Sequence, residues 1–220
     1  MRCLLLSMVV LFSALLSALP GYGTDVSALA SAVDARYDHL RSLQADFSEI
    51  YTGAGMARTE SGTLWLKKPG KMRWEYRSPR QKLFISDGKE AWFYLPAERQ
   101  VRKTPVRQLD DLRSPLAFLL GKTHLEKELQ GLSEATDAQP ITAGDVILRG
   151  VPQAMADRVN QVLLEITPDH WICRIVLEEG DGATTEYRFG DQKPDLAIAD
   201  QQFRFTIPEG VEVIDENFGQ

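Results

Sequence analysis

Residues 71–77, KMRWEYR, alternate without a slip: Met72, Trp74 and Tyr76 fall on one side of an extended chain, and Lys71, Arg73, Glu75 and Arg77 on the other. A period of two marks a strand with one wet face. The same period begins at Ala45 and predicts strands at about 44–52, 60–68, 71–77, 81–86, 90–95 and 99–104. Short turns, among them Pro69-Gly70 and Asp87-Gly88, make these an antiparallel meander. Ahead of them, Val26, Leu29, Val33, Tyr37 and Leu40 recur three or four residues apart over 25–43, the spacing of one amphipathic helix with a single apolar stripe. Behind them, Ser114 caps and Pro115 opens a short helix, 116–120, that has almost no polar side and stops at Gly121. A second short helix is expected at 123–130. Strands resume near 140–150, 160–167, 171–178, 184–190 and 202–207. The order is therefore helix, meander, helical insertion, meander, in one domain without tandem repeats.

Parity extends the pattern across the first meander. If Asp87-Gly88 is a two-residue hairpin turn, Ser86 pairs Lys89, Ile85 pairs Glu90 and Leu83 pairs Trp92. Leu83, Ile85, Trp92 and Tyr94 then share a face, with Phe84, Ala91 and Phe93 on the other. One broad apolar face is expected to collect Leu64, Leu66, Met72, Trp74, Tyr76, Leu83, Ile85, Trp92 and Tyr94. A filled core and a cavity for an apolar ligand would both produce it.

The ends and the charge narrow the class. Met1-Arg2, an apolar run over about 3–19 and the exit Pro20-Gly21-Tyr22-Gly23 read as a cleaved secretory signal, 1–23, with a retained membrane anchor as the rival reading, leaving a single domain over 24–220. No cysteine stands at the end of that run, which points away from a lipid-modified N-terminus. The net charge of −6, without a basic block, argues against nucleic acid as a partner. Beyond the leader Cys173 has no second cysteine to pair with, so the domain must be held by its core. Its parity with Trp171, Ile175 and Leu177 reads as a small buried apolar residue. His39, His124 and His170 have no neighbours at metal-ligand spacing, and no nucleophile elbow, phosphate loop or zincin motif is present. Asp110-Asp111 reads as a pair of solvated charges. The residues point to a binding protein, with an enzyme as the alternative.

Five stretches resemble one family: LRSLQADFSE (40–49), GTLWLKKPGKMRWEY (62–76), ISDGKEAWFYLP (85–96), SPLAFLLG (114–121) and FRFTIPEGVEV (203–213). They are similar, in order, to the periplasmic outer-membrane lipoprotein carrier proteins, LolA. The resemblance implies a mainly β fold: an incomplete antiparallel β-barrel, its mouth covered by an N-terminal helix and short inserted helices. It implies a cavity for the acyl chains of a lipoprotein in transit, lined by the nine residues of the apolar face and closed by Leu116, Phe118 and Leu119. It also implies a monomer in the periplasm, no cofactor, an inner-membrane ABC-type release complex as donor and an outer-membrane lipoprotein acceptor. A lipid- or glycolipid-binding or sensing module of the same fold is the alternative. Two positions depart from the family. Lys68 stands where the best-studied carriers have an arginine that holds the lid by its backbone carbonyls; Lys68 is either that latch or a strand-end lysine in solvent. Glu49 replaces a common glutamine, either at the cavity edge or outside it.

Overall fold

The computed structural model describes residues 24–106 and 124–215. The expected leader and the helix at 114–121, with Leu116, Phe118 and Leu119, lie outside them. Helix α1 (Val26–His39) begins where the Asp25 carboxylate accepts a hydrogen bond from the N–H of Ala28 at 3.0 Å, an ordinary N-cap. It ends sooner than its stripe suggests, because Leu40 turns extended and the chain enters β1 (Ser42–Gly53). Strands β2 (Met56–Lys67), β3 (Lys71–Ser78), β4 (Lys82–Asp87), β5 (Glu90–Leu95) and β6 (Gln100–Pro105) complete the first meander. The chain resumes at α2 (Leu125–Glu128), a single turn, and β7 (Leu129–Glu134), where a longer helix was expected. Then come β8 (Val146–Pro152), β9 (Val159–Ile166), β10 (Ile172–Glu179) and β11 (Thr184–Pro194).

Among the described residues these strands, with β12 (Glu212–Asp215), form one open sheet in the order β12-β6-β5-β4-β3-β2-β1-β11-β10-β9-β8-β7. β1 pairs antiparallel with both β2 and β11, so it is the seam between the two meanders. β12 adds a parallel edge to β6. The expected strand at 202–207 is instead a 3-10 turn, Asp200–Phe203, followed by irregular chain. Phe203 is buried there, and the turn packs across the outside of β3 and β4 rather than pairing with them.

The main core lies on the other, inner side. Ala30, Val33 and Tyr37 of α1 meet Leu43 and Phe47 of β1, Leu64 and Leu66 of β2, Met72 and Trp74 of β3, and a row from the second meander that includes Leu148, Leu164 and Ile175. Gly62 permits the tightest approach within it. A Cβ there would overlap the carbonyl oxygen of Glu75 and lie 3.0 Å from Cε1 of Phe47. Gly62→Val should therefore destabilise the fold by at least about 2 kcal/mol, read as a fall in the urea midpoint at unchanged slope; a variant as stable as the parent would contradict the packing.

Candidate functional site

The pairing of β3 with β4 decides which expected residues meet. Leu64 pairs with Trp74, Leu66 with Met72, and Trp74 with Phe84, so these share the inner face. Ile85 pairs with Arg73 and Leu83 with Glu75, which places Leu83 and Ile85 on the outer face. Trp92 and Tyr94 pair with Ile85 and Leu83 and follow them out. Phe205 covers this pair, its ring 6.2 Å from Trp92 and 5.5 Å from Tyr94. The expected nine-residue face is thus two faces. Leu64, Leu66, Met72, Trp74 and Tyr76 stand together, and Leu83, Ile85, Trp92 and Tyr94 stand behind them. The Asp87-Gly88 turn is also wider than expected: Ser86 pairs Ala91, because the Asp87 carboxylate accepts from the N–H groups of both Lys89 and Glu90.

Trp74 is the centre of the inner face. Its ring lies 4.8 Å from Phe47, 5.8 Å from Tyr187 and 6.4 Å from Phe189, all edge-on, and stacks on Tyr76 at 6.3 Å. Phe47, Phe84, Tyr187 and Phe189 were not among the expected site residues. The alternation of Tyr187 and Phe189 within 184–190 was the available signal, but nothing local says that β11 lies against β1.

Polarity changes along this face. Glu49 and Glu60 are directly opposed on β1 and β2, an arrangement that repels unless each charge has a partner. The hydroxyl of Tyr76 donates to Glu49 at 2.6 Å, and the ammonium of Lys82 lies 2.5 Å from Glu60 and 4.3 Å above the Tyr76 ring. Arg58 approaches Glu60 at 3.4 Å. Burial, then the Glu49 charge, push the Tyr76 phenol well above its ordinary range. Glu49 therefore sits at the edge of the aromatic cluster. Toward the other end the wall is only Met72, Leu66, Leu64 and Leu43, each at most 6% exposed.

That apolar end is closed by α1, which Lys68 holds. Its ammonium donates to the carbonyl oxygens of Tyr37 at 2.7 Å and Asp38 at 2.9 Å, at the helix C-terminus where a cation is favoured; the Tyr37 carbonyl also accepts from the N–H of Leu40 at 3.3 Å. Burial draws the Lys68 pKa down, and Asp38 acts against that. Lys68 thus bonds the last turn of the N-terminal helix and is not a strand-end lysine free in solvent. Other contacts hold the same helix: the Tyr37 hydroxyl accepts from the N–H of Ile172 at 3.0 Å and its ring meets Trp171 edge-on at 5.8 Å, Arg36 lies 4.5 Å over Trp171, and Asp34 accepts from the N–H of Leu125 at 3.1 Å and lies 3.4 Å from His124.

Away from the inner face, Asp145, Glu165 and Cys173 bring ligand-type atoms within 4.8 Å of one another. Glu165 is already engaged, by Arg174 at 2.6 Å and by the N–H of Ile141 at 2.7 Å, so a cation would have to displace an arginine. A bulge between Ile172 and Arg174 breaks the parity expected of Cys173: Ile172 and Ile175 both point inward, and Cys173 joins the carboxylates. Burial, followed by the Glu165 charge, pushes its thiol up to about 12 from 9.0.

An open sheet whose apolar inner face is packed under an N-terminal helix defines the fold class. The family model for outer membrane lipoprotein carrier protein LolA matches residues 38–206. An outer-membrane lipoprotein carrier protein of Chromobacterium violaceum is 30% identical over 208 residues, 93% of this chain and 97% of its own length. One from Dechloromonas aromatica is 31% identical over 192 residues, 85% and 89% of the two chains. An uncharacterized conserved protein from Thermus thermophilus shares the fold, with a TM-score of 0.56 at 14% identity over 87% of this chain and 99% of that one. The chain belongs to the LolA family of outer membrane lipoprotein carrier proteins.

Lys68→Met should cost about 1–2 kcal/mol in urea unfolding, since two charge-assisted hydrogen bonds are lost, and Lys68→Arg should recover most of it. An unchanged Lys68→Met protein would show that the latch holds nothing. For Cys173, the unfolded chain loses its proton near 9 and the folded chain only near 12, so this group's contribution to stability falls as pH rises through that window. Iodoacetamide at pH 8.5 should modify the folded protein at least about tenfold more slowly than the urea-unfolded chain; equal rates would place the thiol in solvent.

Proposed function

We propose that this protein ferries acylated lipoproteins across the periplasm, with the acyl chains lying on the inner face of the half-barrel. The observation that carries this reading is the unbroken apolar wall of Leu64, Leu66, Met72 and Trp74, roofed by a helix that is latched rather than woven into the sheet. Tyr76 bounds the wall at its polar end. Phe84 continues it onto β4.

Energetics explain the removable roof. Burying a methylene contributes about 0.8 kcal/mol, so a chain of roughly 16 carbons gains more than about 10 kcal/mol on leaving water. A preformed dry pocket would bind such cargo almost irreversibly. A carrier has to offset part of this gain, and it does so if the cargo displaces contacts that close the empty face. The inward stripe of α1 supplies such contacts. Residues 107–123, with Leu116, Phe118 and Leu119, join β6 near one sheet edge to α2 and β7 at the other, which supports a lid role for those three residues.

The family resemblance supports the remaining parts of the reading. Residues 1–23 direct export and are removed. The working form is a monomer without a cofactor, and an inner-membrane ABC-type release complex supplies the energy of loading. An outer-membrane lipoprotein acceptor takes the cargo.

The inner and outer faces make separate predictions. In a release assay from inner-membrane vesicles, Trp74→Glu and Phe84→Glu should reduce lipoprotein transfer by at least about tenfold, because a carboxylate would be buried against the acyl chains. Trp92→Gln should transfer within about twofold of the parent. Near-ultraviolet circular dichroism checks that each variant is folded. Folded inner-face variants that still transfer normally would overturn the reading.

A further inference from the structure

Trp74 is 2% exposed, yet its indole N–H has no hydrogen-bond acceptor among the described residues. Its ring neighbours, Phe47, Tyr76, Tyr187 and Phe189, present aromatic rings, and a ring face is a weak acceptor at best. A buried donor without an acceptor destabilises a fold. A phenylalanine would fill an aromatic cluster without that penalty.

The position of this donor along the face is informative. β3 presents Tyr76, Trp74 and Met72 in turn, and β2 presents Glu60, Gly62, Leu64 and Leu66 alongside. Both run from charge to hydrocarbon. At the charged end Glu49 is held by Tyr76 and Glu60 by Lys82, so those carboxylates already have partners of their own. At the other end stand apolar side chains and α1, with the Lys68 ammonium engaged by the helix carbonyls. Trp74 sits at the boundary, one strand repeat of roughly 6.8 Å from each neighbour on its face. A linear ligand with a hydrocarbon tail and a hydrogen-bond acceptor at its head matches that order, and an acyl chain in ester or amide linkage is such a ligand.

We propose that Trp74 reads the linkage of the bound acyl chain: its indole N–H donates to the acyl carbonyl oxygen, and the hydrocarbon runs from there along Met72, Leu64 and Leu66 toward α1. The polar part of the cargo leaves past the Tyr76–Glu49 and Lys82–Glu60 pairs. The site thereby prefers acyl chains to ether-linked or plain alkyl chains of equal length. This assignment rests on the carrier reading and adds a chemical specificity to it.

Three synthetic cysteinyl lipopeptides with C16 chains test it: one triacylated, one with ether-linked glyceryl chains but an N-acyl group, and one with ether and N-alkyl chains and no acyl carbonyl. The indole resonance of Trp74 in 15N-labelled protein is assigned by elimination with Trp65→Phe, Trp92→Phe and Trp171→Phe, the chain having four tryptophans. The triacyl form should shift that indole proton downfield and bind roughly five- to tenfold more tightly than the carbonyl-free form. The N-acyl ether form tells whether the amide or an ester is read. Trp74→Phe should erase the preference while retaining binding of all three. If all three bind the parent equally and leave the indole proton unmoved, the linkage is not read and the carrier reading survives. If none binds the parent, both fail. Should Trp74→Phe not fold, the shift and the preference in the parent protein decide.

Discussion

Because β12 and β7 stand at opposite ends of the strand order, the apolar inner face cannot be buried by the sheet closing on itself and must be covered by something else. Among the described residues the second meander is one cover and α1 is the other. Its stripe enters the same core as Leu43, Leu64 and Met72, and its C-terminal carbonyls are held by Lys68. The fold's stability and its capacity to accept a ligand therefore rest on the same contacts. Whatever opens the face must loosen a helix that is tied down at a few named points rather than hydrogen-bonded into a ladder.

Such ties can be balanced against cargo. A β-ladder opens only by losing many backbone bonds together, whereas α1 is fixed by two carbonyl acceptors at Lys68, one hydroxyl at Tyr37, a stacked arginine and the Asp34 carboxylate. Each is worth on the order of a kilocalorie, and their sum is commensurate with partial burial of a long acyl chain. Lysine at the latch matters in the same way. An ammonium satisfies two carbonyls but lacks the planar fork of an arginine, so this tie is readily exchanged for solvent.

Much of this was legible from alternation alone. The first meander, α1, and the joint placement of Leu64, Leu66, Met72, Trp74 and Tyr76 follow from periods of two and of three to four, because one wet and one dry face leave that imprint on each element. Parity did not survive the connection from β3 to β4, which put Ile85 opposite Arg73. Across the next turn the Asp87 side chain moved the pairing by two residues, which left Leu83, Ile85, Trp92 and Tyr94 on one face as expected; turn length is set by local side-chain bonding that the strand pattern does not encode. The bulge beside Cys173 defeated parity in the same manner. The strand expected at 202–207 failed for another reason. Phe203 and Phe205 alternate as a strand would, but their burial comes from packing on the outside of the sheet. The pairing of Glu49 with Tyr76, across 27 residues, had no local signal at all.

If cargo acyl chains lie on the inner face, a probe set into that face must meet them. A photo-activated benzoylphenylalanine placed in living cells at Phe84, on the inner face, or at Trp92, on the outer one, tests it most directly. Irradiation should cross-link the Phe84 variant to acylated lipoproteins, identified by mass spectrometry of the adducts, and leave the Trp92 variant free of them. Cross-links from Trp92 with none from Phe84 would contradict the account.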